Sequence, residues 1–339
     1  MTTGPLMQLL TGLGNDSCHV LNNPGAYEWW YADAISADAE WAVVMILFRG
    51  VPMSADYLRN PSDRTGGYAL SVYHKGSRIA FHFGGYHEHE CTFGVAPCDV
   101  AVGPHRMRLL PDGTIHCSIT PESIGKGQGA CVKMTLSGGW NNTDKAPFTG
   151  MHGWVLAAPR TQAQVSIELF EGSEMVSSTH FETMAYHDHN MGSRAMWADF
   201  QDWYWGRVHT PENTFVFLAT PNAAEPFAWA GRVASDGSVH PWNDVRQQLS
   251  GTGLSLMGLR THRTITISGE DDAGSHVLTC KTQKVCENAP FYQRLLSEWT
   301  HNNLRLGIGM SEYMDVSRLR LPAIRPFLRL PWVYHAEQL

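Results

Sequence analysis

Charge is scarce in this sequence. Asp, Glu, Lys and Arg make up 17% of its 339 residues, against roughly 25% in an average soluble protein. With 43% hydrophobic residues, the balance is the reverse of what intrinsic disorder requires. Basic clusters are missing too: 25 Lys+Arg stand against 32 Asp+Glu, a net charge of −7. Nucleic acid is therefore not expected as a partner, since phosphates demand a basic stripe. Long apolar runs are absent. The longest, Trp41–Phe48, has eight residues, where a membrane-spanning helix needs about twenty. The seven cysteines are odd in number, irregularly spaced and without a C-x-x-C pair, which argues against a disulfide framework or a zinc ribbon. The start, Met1-Thr2-Thr3-Gly4-Pro5, lacks the positive n-region of a secretory signal. These absences point to a cytoplasmic, reducing setting.

What is abundant is glycine, tryptophan and alternation. The 32 glycines follow no regular period, so a collagen-like chain is excluded. Period-2 runs of β-branched and aromatic residues recur at Glu40–Phe48, Gly67–His74, Arg78–Phe83, Thr114–Thr120, Val132–Leu136, Gln164–Leu169, Thr214–Thr220, Phe227–Val233, His262–Ser268 and His276–Thr282. Turn formers such as Asp112-Gly113, Ser137-Gly138-Gly139 and Asp236-Gly237 punctuate them, as hairpins require. One helix is expected, near Phe291–Asn303. The fold class is thus mostly β, built from antiparallel sandwiches or barrels. At about 100–200 residues per domain the length allows two. A weak internal repeat supports that number: Trp29-Trp30-Tyr31-Ala32-Asp33 and Trp203-Tyr204-Trp205-Gly206-Arg207 each precede a turn and a further strand. The expected domains are residues 1–198 and 199–339.

Four stretches in order resemble the carotenoid 1,2-hydratase (hydroxyneurosporene synthase) family and its lipocalin-like relatives. They are Tyr27–Ala34; Ala185-Tyr186-His187-Asp188-His189-Asn190-Met191-Gly192 followed by Trp203 and Trp205; Glu312–Arg318; and Pro326–Pro331. The resemblance runs from about residue 25 to 331. It implies two tandem lipocalin-like β-sandwich or barrel domains with an elongated apolar pocket. It also implies acid-initiated addition of water to a terminal isoprenoid double bond without a redox cofactor. Relatives include tocopherol-cyclase-like and Diels-Alderase-like proteins, which fold polyenes rather than hydrate them.

On a strand, Tyr186, Asp188 and Asn190 point to one face and His187 and His189 to the other. Protonating a trisubstituted alkene needs a positioned acid, and an Asp of pKa about 3.9 is protonated to only roughly one part in a thousand at neutral pH. Burial in an apolar pocket raises that fraction. Asp188 is therefore the expected general acid, with Tyr186 and Asn190 positioning it and the attacking water. The competing reading is a turn in which Asp188 and Asn190 satisfy backbone groups. The resemblance also extends to His152-Gly153-Trp154: His152 as base toward water, Trp154 as an aromatic face for a carbocation. Against this stands a core Trp beside a surface His.

Substrate-lining candidates are Glu28, Trp29, Trp30, Tyr31, Trp203 and Trp205, although alternation sends Trp29 and Tyr31 to one face and Trp30 to the other. Each aromatic has ordinary core packing as its alternative. Glu28, costly to bury unpaired, has an ion pair with Arg207 as its alternative. Two histidine pairs, His87/His89 and His187/His189, with His82 nearby, have i, i+2 spacing that chelates metals. A downstream carboxylate ligand is missing after His89, so solvent-facing histidines and no metal are expected. Gly307-Ile308-Gly309 lacks the third glycine of a dinucleotide loop and reads as a β-bulge. Arg318, Arg320, Arg325 and Arg329, set among apolar residues up to Trp332, allow peripheral membrane contact. The expected partner is a lipophilic small molecule. Alternatives to the hydratase or cyclase reading are a pericyclase that confines a reactive polyene and a non-catalytic lipid carrier.

Overall fold

The structure, a computed structural model, describes residues 4–120, 128–138 and 143–329. Backbone contacts divide the chain into two compact units, one running through Ala195 and the other spanning Met196–Phe327. Both are built mainly of antiparallel β-strands. The ten segments read from alternation all fall on strands.

The first unit contains β1 (Met7–Thr11), β2 (Tyr27–Ile35), β3 (Trp41–Arg49), β4 (Gly66–His74), β5 (Ser77–Tyr86), β6 (Cys91–Phe93), β7 (Asp99–Val102), β8 (His105–Leu109), β9 (Ile115–Ile119), β10 (Gln128–Ser137), β11 (His152–Glu171) and β12 (Glu174–Gly192). Their order in the sheet is β5-β4-β3-β2-β12-β11-β10-β9-β8-β7-β6, with β1 added in parallel to β11. The sheet curls into a near-barrel. Its closure is marked by His82 on β5, whose Nε2 accepts the Ala130 N–H of β10 at 3.0 Å.

The second unit contains β13 (Asp202–His209), β14 (Asn213–Thr220), β15 (Phe227–Ala234), β16 (Val239–Pro241), β17 (Asn243–Leu254), β18 (Arg260–Asp271), β19 (Gly274–Asn288), β20 (Tyr292–His301) and β21 (Leu304–Asp315). The order is β16-β15-β14-β13-β21-β20-β19-β18-β17. Both sheets therefore share one plan: four strands meander outward, the chain moves to the far edge, and a second meander returns so that the last strand pairs with the first. The two aromatic repeats occupy equivalent places, β2 and β13. The second core gathers Val208, Phe215, Phe217, Trp242, Ile265, Leu278 and Trp299.

The helix expected near Phe291–Asn303 is instead β20. Its polar residues mimic a helical period because they find partners on neighbouring strands rather than in solvent. Arg294 is buried and donates through Nε to Glu312 at 2.8 Å and through Nη1 to Glu287 at 2.9 Å. Ser297 meets Ser311 at 2.9 Å. The helical segments that do form are an α-helix at Ala55–Arg59, capped by the Ser54 hydroxyl, and 3₁₀ turns that include Val316–Arg320 and Pro322–Leu328. Gly307, at φ 137°, sits beside a bulge in the β20–β21 ladder. Pro331 and Trp332 of the tail motif lie outside the described residues. The seven cysteines are free thiols. No helix among the described residues is long and apolar enough to cross a membrane.

Candidate functional site

The residues converge where β2, β11 and β12 run side by side. Pairing of β2 with β12 sets Trp29 opposite Asn190, Tyr31 opposite Asp188 and Asp33 opposite Tyr186. Directly opposed residues share a face, so these six side chains form one patch. On the other flank of β12, Trp154 opposes Asn190 and His152 opposes Gly192. Beyond Trp154 the ladder is interrupted twice, between Val155 and Ala158 and between Ala158 and Thr161. Pro159 lies within the second interruption and has no N–H to give a central ladder. The bulges open β11 beside Asp188, and bulges commonly re-aim side chains in this way.

Asp188 is buried at 3% exposure and accepts three side-chain hydrogen bonds. Trp154 Nε1 donates to Oδ2 at 2.8 Å, the Tyr186 hydroxyl to the same oxygen at 2.7 Å, and Asn190 Nδ2 to Oδ1 at 2.9 Å. The turn reading of Asp188 and Asn190 does not survive this geometry: both lie inside a strand. Aromatic rings share this face. Tyr27 stacks on Trp29 with centroids 5.0 Å apart, Trp29 tilts against Phe48 at 6.4 Å, and Tyr31 meets Tyr186 edge-on at 6.2 Å. His152 is buried and its Nδ1 lies 2.9 Å from the Tyr27 hydroxyl.

A second buried carboxylate, Asp33, belongs to this patch and was not among the sequence candidates. It accepts the Tyr31 hydroxyl at 2.8 Å. The patch thus contains two Tyr-x-Asp units in antiparallel register, each tyrosine donating to the aspartate two residues later on its own strand. The signal was present in Trp29-x-Tyr31-x-Asp33, but only the pairing with β12 brings it to Asp188.

Glu28, Trp30, His187 and His189 project from the opposite face. There Trp30 stacks on His189 at 4.4 Å and donates its indole N–H to the Asp16 carbonyl at 2.7 Å. Glu28 lies with Arg49, at 3.4 Å from Oε1, rather than with Arg207. Burial alone would raise the Glu28 carboxyl, but the adjacent His189 and His19 hold it well below the usual carboxylate range. His187 and His189 are fully buried, correcting the solvent-facing expectation. His187 spends both ring nitrogens, on the Tyr31 carbonyl at 2.8 Å and Asp16 Oδ2 at 2.9 Å. Burial opposes its charge, yet Asp16 prevails and holds it above its ordinary value. For His189 burial prevails and lowers it. His87 and His89 do not share a strand: His87 caps the 3₁₀ turn Glu88–Glu90. Trp203 and Trp205 lie on β13 of the second unit, Trp205 buried opposite Leu218 and Glu312.

Comparison with known proteins places the chain among carotenoid hydratases. The model of a family described as carotenoid hydratase CrtC matches residues 120–335, a span containing Trp154, Tyr186, Asp188 and Asn190. A hydroxyneurosporene dehydrogenase of Chlorobaculum tepidum is 24% identical, over 93% of this chain and 89% of its own. An acyclic carotenoid 1,2-hydratase of Rhodobacter capsulatus is 30% identical, over 52% of this chain and 57% of its own. Among solved structures, CghA bound to Sch210972 superposes with a TM-score of 0.58 at 11% identity, covering 89% of this chain and 94% of that one. This last likeness concerns the fold.

Proposed function

This chain belongs to the carotenoid hydratase CrtC family, and from that membership we propose that it adds water across a terminal trisubstituted double bond of an acyclic isoprenoid polyene. The observation that supports this most is the convergence of Trp154, Tyr186 and Asn190 on the buried carboxyl of Asp188 amid aromatic rings. Trp154 and Tyr186 both donate to Oδ2, and the transferable proton is assigned to Oδ1. That proton goes to the less substituted alkene carbon. The π pair forms the new C–H bond and the neighbouring carbon becomes a tertiary cation. The Trp154 and Trp29 faces stabilise such a cation by about 2 kcal/mol when water is excluded.

Water then bonds to the cation and must lose a proton. A base for that step has to lie close to the acid, because the two carbons are adjacent. At about 3.4 Å of rise per residue, the His152–Gly192 pair is four positions along the strand from Asp188, about 13 Å. The Asp33–Tyr186 pair is two positions away, about 7 Å. Asp33 therefore takes the base role expected of His152 from the resemblance, and His152 lines the same face with Tyr27. Return of the proton from Asp33 to Asp188 restores the enzyme. The addition is redox-neutral and involves no electron carrier. Such a substrate resides in membranes, and the exposed Leu321 and Phe327 lie among Arg318, Arg320 and Arg325 for shallow contact.

The test is mass spectrometry of acyclic polyenes incubated with the protein in deuterated, ¹⁸O-enriched water. Hydration adds one carbon-bound deuterium and one ¹⁸O, and Asp188→Asn abolishes both. Deuterium without oxygen would replace hydration by cyclisation. An unlabelled isomer would indicate pericyclic folding, and an unchanged ligand a carrier.

A further inference from the structure

We propose that the interior face of the first sheet binds one divalent transition-metal ion through His19, Glu28 and His189. Glu28 comes from β2, His189 from β12, and His19 from the segment that leads into β2. His189 Nε2 lies 3.4 Å from Glu28 Oε2, and His19 Nδ1 lies 3.7 Å from the same oxygen. Ligand atoms of all three residues fall within 4.8 Å of one another. A tetrahedral ion with bonds of about 2.0–2.1 Å holds its donors roughly 3.3 Å apart, so the side chains need draw in by only about an ångström.

The second observation is a set of stranded polar atoms. Glu28 and His189 are fully buried, and the His19 side chain is 6% exposed. Yet both ring nitrogens of His19, both of His189, and Asp16 Oδ1 lack a hydrogen bond. Folded proteins rarely leave such groups together without a bridging species. Glu28 alone does not serve them, for Oε2 already accepts the His19 backbone N–H at 2.8 Å and Oε1 receives the Cys18 thiol at 3.2 Å. An ion on His189 Nε2 leaves Nδ1–H aimed at Asp16 Oδ1, 3.9 Å away. Shortening that separation to hydrogen-bond length gives the carboxylate–imidazole–metal relay by which ligating histidines are held. Arg49 approaches Oε1 and leaves Oε2 to the ion.

Two imidazoles and a carboxylate select zinc, iron(II) or cobalt(II) over magnesium or calcium. The ion lies on the face of β2 and β12 opposite Asp33 and Asp188. Its role is to staple the two strands that carry the acid and the base. His187 takes no part, because its nitrogens are already engaged.

The experiment strips the full chain with chelator and titrates it with Co(II), then Zn(II). One Co(II) per chain, visible d–d absorption displaced by Zn(II), and a higher Tm with metal are expected. His19→Gln, outside the strands, abolishes uptake and the metal-dependent rise while the metal-free Tm stays close to wild type. Replacing the exposed pair His87 and His89 leaves uptake intact. Absence of stoichiometric uptake overturns the proposal. So does binding that persists in both His19→Gln and Glu28→Gln, or that disappears with His87 and His89.

Discussion

Replacing Tyr186 by Phe removes one oxygen atom from the candidate site and little else. The ring is fully buried and keeps its edge contact with Tyr31, so packing is retained. What is lost is the hydroxyl donor 2.7 Å from Asp188 Oδ2. A buried hydrogen bond to a group that carries charge contributes about 1.5–3 kcal/mol. If that energy acts on proton transfer, kcat falls by roughly 10- to 150-fold, at about 1.4 kcal/mol per decade. KM should hold, because the hydroxyl touches the acid rather than the substrate. Trp154→Phe removes the other donor on the same oxygen, and the two changes together should be non-additive by about 0.5–3 kcal/mol, as groups sharing one partner are. Initial rates of alcohol formation for the wild type, both single variants and the double variant complete the cycle. A Tyr186→Phe enzyme within threefold of wild-type kcat would refute the positioning role. A raised KM at constant kcat would reassign the hydroxyl to substrate binding.

Other outcomes follow from residues on and off this face. Asp33→Asn should lower hydration by about 10²–10⁴-fold, the usual span for a lost general base, while deuterium still exchanges into recovered polyene; unchanged alcohol formation would remove Asp33 from the mechanism. His105 is buried, packs at a tilt against Tyr68, and accepts the Thr120 N–H at 3.2 Å; burial lowers its pKa to about 3. Because the unfolded imidazole titrates near 6.5, its contribution is complete above that pH and is lost as pH falls toward 3. Urea denaturation at pH 4.5 should therefore show about 3 kcal/mol less stability than at pH 7 from this group, and His105→Gln should lack that portion. Arg294→Met should destabilise the protein by about 3–5 kcal/mol, because it leaves Glu287 and Glu312 without their buried cation; equal urea midpoints would contradict this. Anionic vesicles should co-sediment the protein, and charge reversal at Arg318, Arg320 and Arg325 should abolish it.

Alternation alone placed Tyr186, Asp188 and Asn190 on one side and His187 and His189 on the other, because side-chain direction in a strand is a local property. The same rule correctly separated Trp30 from Trp29 and Tyr31. Asp33 was missed because its significance lies in register: nothing near residue 33 reveals that Tyr186 will stand opposite it. His19 was missed for a related reason, since a loop residue has no period to follow. The error at β20 has another cause. A helix is expected over Phe291–Asn303, whereas Arg294 and Ser297 within it are buried and satisfied across the sheet by Glu287, Glu312 and Ser311. Alternation presumes that polar means exposed, and it fails where polar residues answer one another inside.

The pairing of the last strand of the first sheet with its first long strand has a consequence during synthesis. At about 5–20 residues per second, a ribosome needs roughly 10–30 s after making Asp33 before Tyr186 exists. Through that interval β3, β4 and β5 can assemble as local hairpins, but one edge of β2 has no partner from this sheet. An open edge rich in tryptophan and tyrosine is a template for wrong pairing, and pairings between distant segments form slowly. The two aspartates therefore meet only after the rest of the meander has been made. Conditions that slow aggregation more than they slow translation, such as induction in the cold or extra chaperone, should raise the yield of active enzyme more than the yield of total chain.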